Sequence, residues 1–441
     1  VPHQRESFDA TGESAESSLL DLAITWGHPS TDRTDTAGNA ITNKYEFIES
    51  YEVKHNLGFS GKFKTEIVPS TETSFLLENP AQRIGTVLVR LTNTQGHFSK
   101  WIRREIDTSL MVLKIPTPLK NRVMGQSLGV YEKEIRFYSQ LKEKLNIRTP
   151  GYYYGVMSAA DEPDVILERL KALHRLPIWA IAIFGLIVQW IFGLMPRRYA
   201  LLIEDVSHYR LGDQSAKCST NDIKIALDSM ATLHAQFWGS EALKALAWIT
   251  PVELSAKLVH MGYLQSANKY LKENGANLTE EQLKLHAWLK KNGVGLTERL
   301  GKKSMTLLHG DFRVDNLCFD DDAGEMLLLD WQTTMAGSYG LELAYFLSTA
   351  IPADAPSEKL DEMIEYYRHA LDQRGIKIPA PDLRHEFNIG MVAIVHRISP
   401  ILHQTQLELG TGRGPAIMQN WIDSAYKKVA DVELESILEA H

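Results

Sequence analysis

The spacing of hydrophobic positions changes part-way along the chain. From Tyr45 to about Pro116 apolar residues come in short runs of strand character. Val87–Leu91 and Leu110–Pro116 are rich in β-branched and aliphatic residues, and the first is followed by the turn-prone Asn93–Gly96. Leu128, Tyr131, Ile135, Tyr138, Leu141 and Leu145 then recur at steps of three and four, which predicts a helix over 128–145. Tyr152–Met157 and Tyr199–Val206 read as strands. Beyond them helical spacing dominates, in Ile223–Trp238, Ser255–Leu271, Glu281–Lys291, Ser357–Leu371, Arg384–His403 and Ala416–Leu438. One strand-rich interruption lies at Met305–Trp331. Residues 1–44 are polar, with an apolar stretch at Leu19–Trp26 that reads as one docking helix on an extension. The sum is an α+β fold of two lobes. A polar extension covers 1–44. A small β-rich N-terminal lobe covers 45–206, with an apolar insert at about 171–198. A helical C-terminal lobe covers 207–441 and contains the 305–331 hairpin.

Charge and cysteine usage narrow the function classes. Lys and Arg number 47 against 55 Asp and Glu, a net charge of −8, which argues against a nucleic-acid binder. Cys218 and Cys318 are the two cysteines, too few for a disulfide framework or a cysteine zinc site, so a reducing intracellular compartment is expected. Residues 1–25 carry no basic stretch followed by a long apolar run, so no intact secretory signal is read there.

The chemistry concentrates in MTLLHGDFRVDNLCFDDDAGEMLLLDW, residues 305–331. Two apolar strands, Leu317–Phe319 and Leu327–Leu329, flank the acidic, glycine-containing turn Asp320–Glu325. Antiparallel partners share a constant index sum. Closure around Ala323 pairs Leu317 with Leu329 and therefore Asn316 with Asp330. A carboxamide and a carboxylate then emerge together at the open end of the hairpin, with Asp311 on the loop that feeds it. Hard oxygen ligands at such a point suit Mg2+, which keeps waters and phosphate oxygens in its shell. An adjacent Asp can accept a proton from an alcohol. The plainer alternative is a hairpin turn with ordinary solvated acids. The spacing H-G-D-x-x-x-x-N, an apolar strand and Asp matches phosphoryl transfer of the kinase type.

On these residues the chain resembles the aminoglycoside phosphotransferase and choline kinase branch of the protein-kinase-like fold. Within that branch it is most similar to the ecdysteroid-kinase-like small-molecule kinases. The resemblance rests on His309–Arg313, Asp315-Asn316, Asp330–Gln332 and Gly340–Leu347, with Leu202–Asp205 and Leu233–Trp238, in that family's order over roughly 80–350. It implies a bilobal kinase fold that uses ATP and Mg2+ on a small-molecule alcohol acceptor. It implies Asp311 as catalytic base, Asn316 and Asp330 as Mg2+ ligands, and a hinge at Ile203–Val206 whose Glu204 and Val206 meet adenine. Glu342 stands where the group often has Asp.

Such a kinase also needs a strand lysine on the phosphates and a helix glutamate to hold it. Lys114 ends an apolar strand. Within 128–145 the apolar stripe centres near Tyr138, with Glu134 about 40° from that centre and Glu132 about 120° away, which selects Glu134. The phosphate-covering segment Glu78–Gly85 offers a single glycine, Gly85, for close backbone approach. The Gly410–Gly414 run follows no strand and reads as an interhelix loop. His234 and His309 read as core and loop anchors, Arg313 as either a phosphate or substrate contact or a solvated or salt-bridged arginine, and Trp331 and Gln332 as packing residues.

The acceptor is expected over the helical lobe, between Ile223–Trp238 and the segments after Asp330. Steroid-like, other lipophilic and amino alcohols, and aminoglycosides, all stay open. A rival reading is a membrane-associated pseudokinase serving as a binding or scaffold subunit, motivated by the glycine-poor loop, Glu342 and the apolar insert. That insert, Leu176–Met195, holds no charged residue among its 20 positions. As one helix it would span about 30 Å, the thickness of a bilayer core. A single crossing would separate the strands on either side of it, which should pair in one lobe. The expectation is therefore one helix, or two broken near Gly185, lying in one leaflet with peripheral or monotopic association. The alternative is packing on its own chain or on a protein partner.

Overall fold

The computed structural model describes residues 21–27, 47–55, 59–67, 86–97, 111–116, 120–157, 162–194, 199–214, 216, 218–302, 305–403, 413–429 and 432–438. Seven strands build an antiparallel sheet in the order β1-β2-β3-β4-β5-β7-β6. They are β1 Asp21–Gly27, β2 Phe47–His55, β3 Phe59–Ile67, β4 Thr86–His97, β5 Met111–Pro116, β6 Tyr152–Met157 and β7 Tyr199–Glu204. Two expectations fail here. The stretch read as a docking helix is the edge strand β1, paired with β2. Strand β4 runs on through the predicted Asn93–Gly96 turn, with a register shift opposite Lys62 and Phe63. A long partner strand supplies the hydrogen bonds that local turn preference alone would have forgone. Gly85 and the rest of Glu78–Gly85 lie outside the described residues, as do positions 410–412 of the glycine run; Arg413 and Gly414 open the last long helix.

Side chains on β5 alternate, so Val112 and Lys114 share its buried face, each 6% exposed. A buried ammonium is costly unless it is paired. Its partner comes from the next elements, α1 Lys120–Ser127 and α2 Val130–Arg136, which meet at Gly129. Gly129 sits at φ 68°, a left-handed conformation that glycine adopts without strain, and it lets the chain turn between the two helices. The helix expected over 128–145 is therefore shorter at both ends: Phe137–Leu141 continues as a π turn and Lys142–Lys144 as a 3-10 turn.

Between β6 and β7 stand α3 Pro163–Arg175 and α4 Ile178–Leu194. The apolar run is one continuous helix; the break falls at Leu176-Pro177 before it, not at Gly185. β6 and β7 pair antiparallel across this excursion, Met157 with Tyr199 at its base.

The C-terminal part is helical: α5 Thr220–Gln236, α6 Ala256–Asn274, α7 Glu280–Leu300, α8 Tyr339–Ala350, α9 Ser357–Gln373, α10 Ala380–His403 and α11 Arg413–Val429. Helix α10 packs against α6, α7, α8 and α11. Its residues Ile389 and Met391–Val395 are all at most 1% exposed, as a helix surrounded by others must be. Two small sheets complete the lobe, β8 Arg210–Leu211 with the hairpin β10 Leu317–Asp320 and β11 Glu325–Leu328, and β9 Met305–Leu308 with β12 Met335–Ser338. The arrangement is α+β, a sheet-rich N-terminal part joined to a larger helical one.

Candidate active site

The hairpin register differs by one residue from the pairing expected. Leu317 faces Leu328 and Asp320 faces Glu325, because the turn holds the four residues 321–324 rather than centring on Ala323. The Gly324 N–H closes it on the Asp320 carbonyl at 2.9 Å. Asn316 thus bonds through its carbonyl to the Leu329 N–H, at 2.9 Å, and Asp330 follows one residue beyond. The chain brings Asp330 back toward the site by turning sharply: its φ of 63° and ψ of 70° place a non-glycine residue in the left-handed region. Such backbone conformations cost of order 1–3 kcal/mol and persist where surrounding structure over-determines them. Here Trp331, fully buried, supplies that constraint by stacking on Phe137 with ring centroids 3.8 Å apart.

Three of the residues singled out above converge. Lys114 Nζ donates to Glu134 and lies 3.3 Å from Asp330 Oδ1. Burial would lower the lysine pKa, but the carboxylates of Asp330 and Glu134 outweigh it and raise the pKa above its usual value. Glu134, 2% exposed, also accepts from Gln332 Nε2 at 3.2 Å. Gln332 is therefore a polar brace for the ion pair rather than a packing residue. Glu132 points elsewhere and accepts the Tyr199 hydroxyl at 3.3 Å. Against the burial that raises its carboxyl, Lys114 holds Asp330 below the usual range.

Asp311 and Asn316 form the second group. Asn316 Nδ2 donates to the backbone carbonyl of Asp311 at 2.8 Å and to its carboxylate at 2.9 Å. That leaves the carboxamide oxygen of Asn316 as its acceptor atom. The Tyr345 hydroxyl donates to the other Asp311 oxygen at 2.5 Å. Burial raises the Asp311 carboxyl to about 7, partly offset by the hydrogen bond from Tyr345. Arg313 stands 3.3 Å from this carboxylate and 3.1 Å from that of Asp315, forming ion pairs with both. Tyr345 and Gln332 lie inside the motifs that carry the resemblance, but nothing in the sequence marked either for a polar role in the site; their partners far along the chain reveal it.

The loop is anchored from below. His309 Nε2 donates to the Leu329 carbonyl at 2.8 Å while Nδ1 receives the Asp311 N–H at 3.3 Å, and burial holds this imidazole below its usual pKa. Gly310 sits at φ 85°, and a Cβ there would meet the Thr333 carbonyl at 2.3 Å, so glycine is required on both counts. The Gly310 N–H donates to Glu342 Oε1 at 2.7 Å, and Glu342 Oε2 lies 2.9 Å from His234 Nε2. The longer acid at position 342 thus reaches the loop and the α5 histidine together.

Glu204 and Val206 stand at the end of β7, next to β5. The Glu204 carboxylate accepts from the Gly151 N–H at 2.8 Å. The Val206 carbonyl accepts from the Tyr209 N–H at 3.0 Å and lies 3.5 Å from Cys318 Sγ. From there β8 leads directly onto the hairpin through Cys318 and Leu211. Among the described residues no group of three or more His, Cys, Asp or Glu could hold a metal alone. Asp330 and the Asn316 carboxamide would offer two oxygens, a donor set that fits Mg2+ only with phosphate and water completing its shell.

Residues 191–378 match the Ecdysteroid kinase-like family. No curated protein matches. Among solved structures, aminoglycoside 2'-phosphotransferase-IIIa in its GDP complex is 11% identical, covers 83% of this chain and 93% of its own, and superposes with a TM-score of 0.46. Ethanolamine kinase from Plasmodium vivax is 8% identical, with 82% and 81% covered and a TM-score of 0.41. A microcompartment-associated aminopropanol kinase is 12% identical, with 80% and 94% covered and a TM-score of 0.38. The matched segment carries β7, α5, the hairpin and α8, and is similar to that family.

Proposed function

We propose that the chain is an ATP-dependent small-molecule kinase that transfers a γ-phosphoryl group to the hydroxyl of a small acceptor, with lipophilic alcohols, amino alcohols and aminoglycosides as the candidate classes. The observation that carries this reading is the convergence of Lys114 on both Glu134 and Asp330, one strand, one helix and one hairpin meeting at a single ammonium. In this reading Asp311 orients and deprotonates the acceptor hydroxyl, and Tyr345 and Asn316 fix its carboxylate. Lys114, steadied by Glu134 and Gln332, meets the nucleotide phosphates. Asn316 and Asp330 would hold Mg2+, which supplies neutralisation of triphosphate charge. Gly85 would approach the phosphates from the covering segment. Glu204 and Val206 would meet adenine; the Val206 carbonyl is engaged within the chain, so its N–H is the group assigned to the purine. The family match over 191–378 and the small-molecule kinases named above support the reaction class.

The test is ATP consumption by purified protein across a library of alcohols, with Asp311→Ala as control. Acceptor-dependent consumption that the variant lacks supports the reading; consumption indifferent to acceptor and to Asp311 rejects it.

A second reading, a membrane-associated pseudokinase acting as a binding or scaffold subunit, is favoured by one observation, the outward-facing apolar residues of α4. Both readings place Leu176–Met195 against a membrane surface or a protein partner.

A further inference from the structure

Helix α4 carries its apolar residues outward along its length. Trp179, Ile183, Leu186, Ile187 and Trp190 are 68%, 53%, 69%, 49% and 68% exposed. At about 100° per residue these five fall within an arc of about 100°, and Phe184 and Ile191, 43% and 41% exposed, widen the apolar face to about 160°. The two tryptophans lie about 20° apart around the axis and about 16 Å apart along it. On the opposite side Ile181 is buried, and α4 rests on α1 and α6. The Lys257 ammonium, on α6, donates to the Leu176 carbonyl at the helix entrance. The body of the protein therefore fixes which face turns outward.

A crossing of the bilayer does not fit. The 17 residues of α4 rise about 25 Å, short of a hydrocarbon core of about 30 Å. No helix among the described residues is long and apolar enough to cross a membrane. The pairing of β6 with β7 also returns the chain to the side it left. In a spanning helix the two tryptophans would mark opposite interfaces. Here they share one face, with aliphatic side chains between them, so they stand at one depth beneath a helix lying flat.

Charge selects the occupant. From Arg169 to Ile203 the chain holds five Lys or Arg and no Asp or Glu, inside a protein of net charge −8; Glu168 and Glu204 bound the stretch, and Lys171 pairs with Glu168 at 2.7 Å. A second copy would set this basic segment against itself. An anionic lipid surface complements it, at about 1 kcal/mol for each basic residue near the surface.

We propose that α4 lies in the plane of one leaflet of an anionic membrane. Trp179, Ile183, Leu186, Ile187 and Trp190 all face the boundary between headgroups and acyl chains. The inference deepens the membrane reading of Leu176–Met195 and is independent of the kinase chemistry.

The experiment is flotation of the full chain with vesicles of pure phosphatidylcholine and of phosphatidylcholine mixed with phosphatidylserine. It is repeated for Trp179→Ala/Trp190→Ala and for Lys171→Glu/Arg175→Glu, each first checked for an unchanged melting temperature. Strong flotation with the anionic vesicles is expected, reduced about tenfold or more by either double variant. Brominated lipids should quench Trp179→Phe and Trp190→Phe chains with the same depth profile, after subtraction of the signal of the seven other tryptophans measured in Trp179→Phe/Trp190→Phe. Equal flotation with both vesicle types overturns the anionic assignment and leaves the membrane reading standing. Unequal depths overturn the in-plane orientation. No flotation, with a dimer that the tryptophan variant dissociates, rejects the membrane reading itself and makes a second copy the occupant.

Discussion

Glu342 and Gly310 are joined by a 2.7 Å hydrogen bond, from the backbone N–H of the loop to a carboxylate on α8. The same carboxylate faces His234 at 2.9 Å, in surroundings where both side chains are buried. Glu342→Ala would leave two donors without this acceptor, the buried His234 ring and the half-buried Gly310 N–H, at about 1–3 kcal/mol for a buried donor. A total loss of about 2–4 kcal/mol in urea unfolding is expected, with Glu342→Gln losing clearly less because an amide oxygen still accepts. Equal losses for the two variants would mean that the acceptor atoms at 342 contribute nothing.

Asp311 and Asp330 should separate kinetically. Asp311→Ala removes the positioned base and should lower turnover by about two to four orders of magnitude while nucleotide binding stays nearly intact. Asp330→Ala should instead weaken Mg2+-dependent nucleotide binding in a calorimetric titration. Small and equal effects of the two changes on turnover would show that the roles are misassigned.

How far could the site be read in advance? Lys114 and Glu134 were legible because each obeys a local period: alternation puts Lys114 on the buried face of β5, and helical spacing turns Glu134 inward. The Asn316–Asp330 neighbourhood was legible from the hairpin, but its register was not. An odd and an even turn differ by one residue, and the Gly324-to-Asp320 closure that chooses between them is a backbone hydrogen bond with no clear sequence mark. Strand β1 was misread because an edge strand owes its hydrogen bonds to a partner far along the chain. Tyr345 and Gln332 reach Asp311 and Glu134 across 34 and 198 positions, distances over which no periodicity extends.

Lys114 and Glu134 form a buried pair, so their substitutions should not add. Lys114→Ala should raise the KM for ATP and lower kcat. Adding Glu134→Ala to it should cost much less than Glu134→Ala alone, a coupling of the size seen between residues in direct contact, about 0.5–3 kcal/mol. Glu132→Ala is the contrast: it breaks a bond to Tyr199 and should leave the KM for ATP unchanged. Strictly additive losses, or a Glu132 effect on KM, would point to the wrong glutamate.

Acid should destabilise the helical lobe through His286. Its ring meets the Tyr263 hydroxyl at 2.8 Å and the Tyr426 hydroxyl at 2.7 Å, with Lys290 one turn along α7. Burial lowers its pKa from 6.5 to about 4. Between those values the unfolded chain binds a proton that the folded chain refuses. Stability is therefore unaffected by this group above pH 6.5, falls as the pH drops toward 4, and levels off below. The full loss is about 3 kcal/mol, from 1.36 kcal/mol for each pKa unit. His396, lowered to about 3 and 3.1 Å from His260, steepens the same decline. His286→Asn removes the titration while keeping a small polar side chain. It should be less stable than the parent at pH 7, yet lose stability more gently between pH 6.5 and 4, by up to one proton in the slope of unfolding free energy against pH. Urea unfolding at half-unit pH steps measures that slope, and parallel curves for the two proteins would clear His286 of any part in acid unfolding.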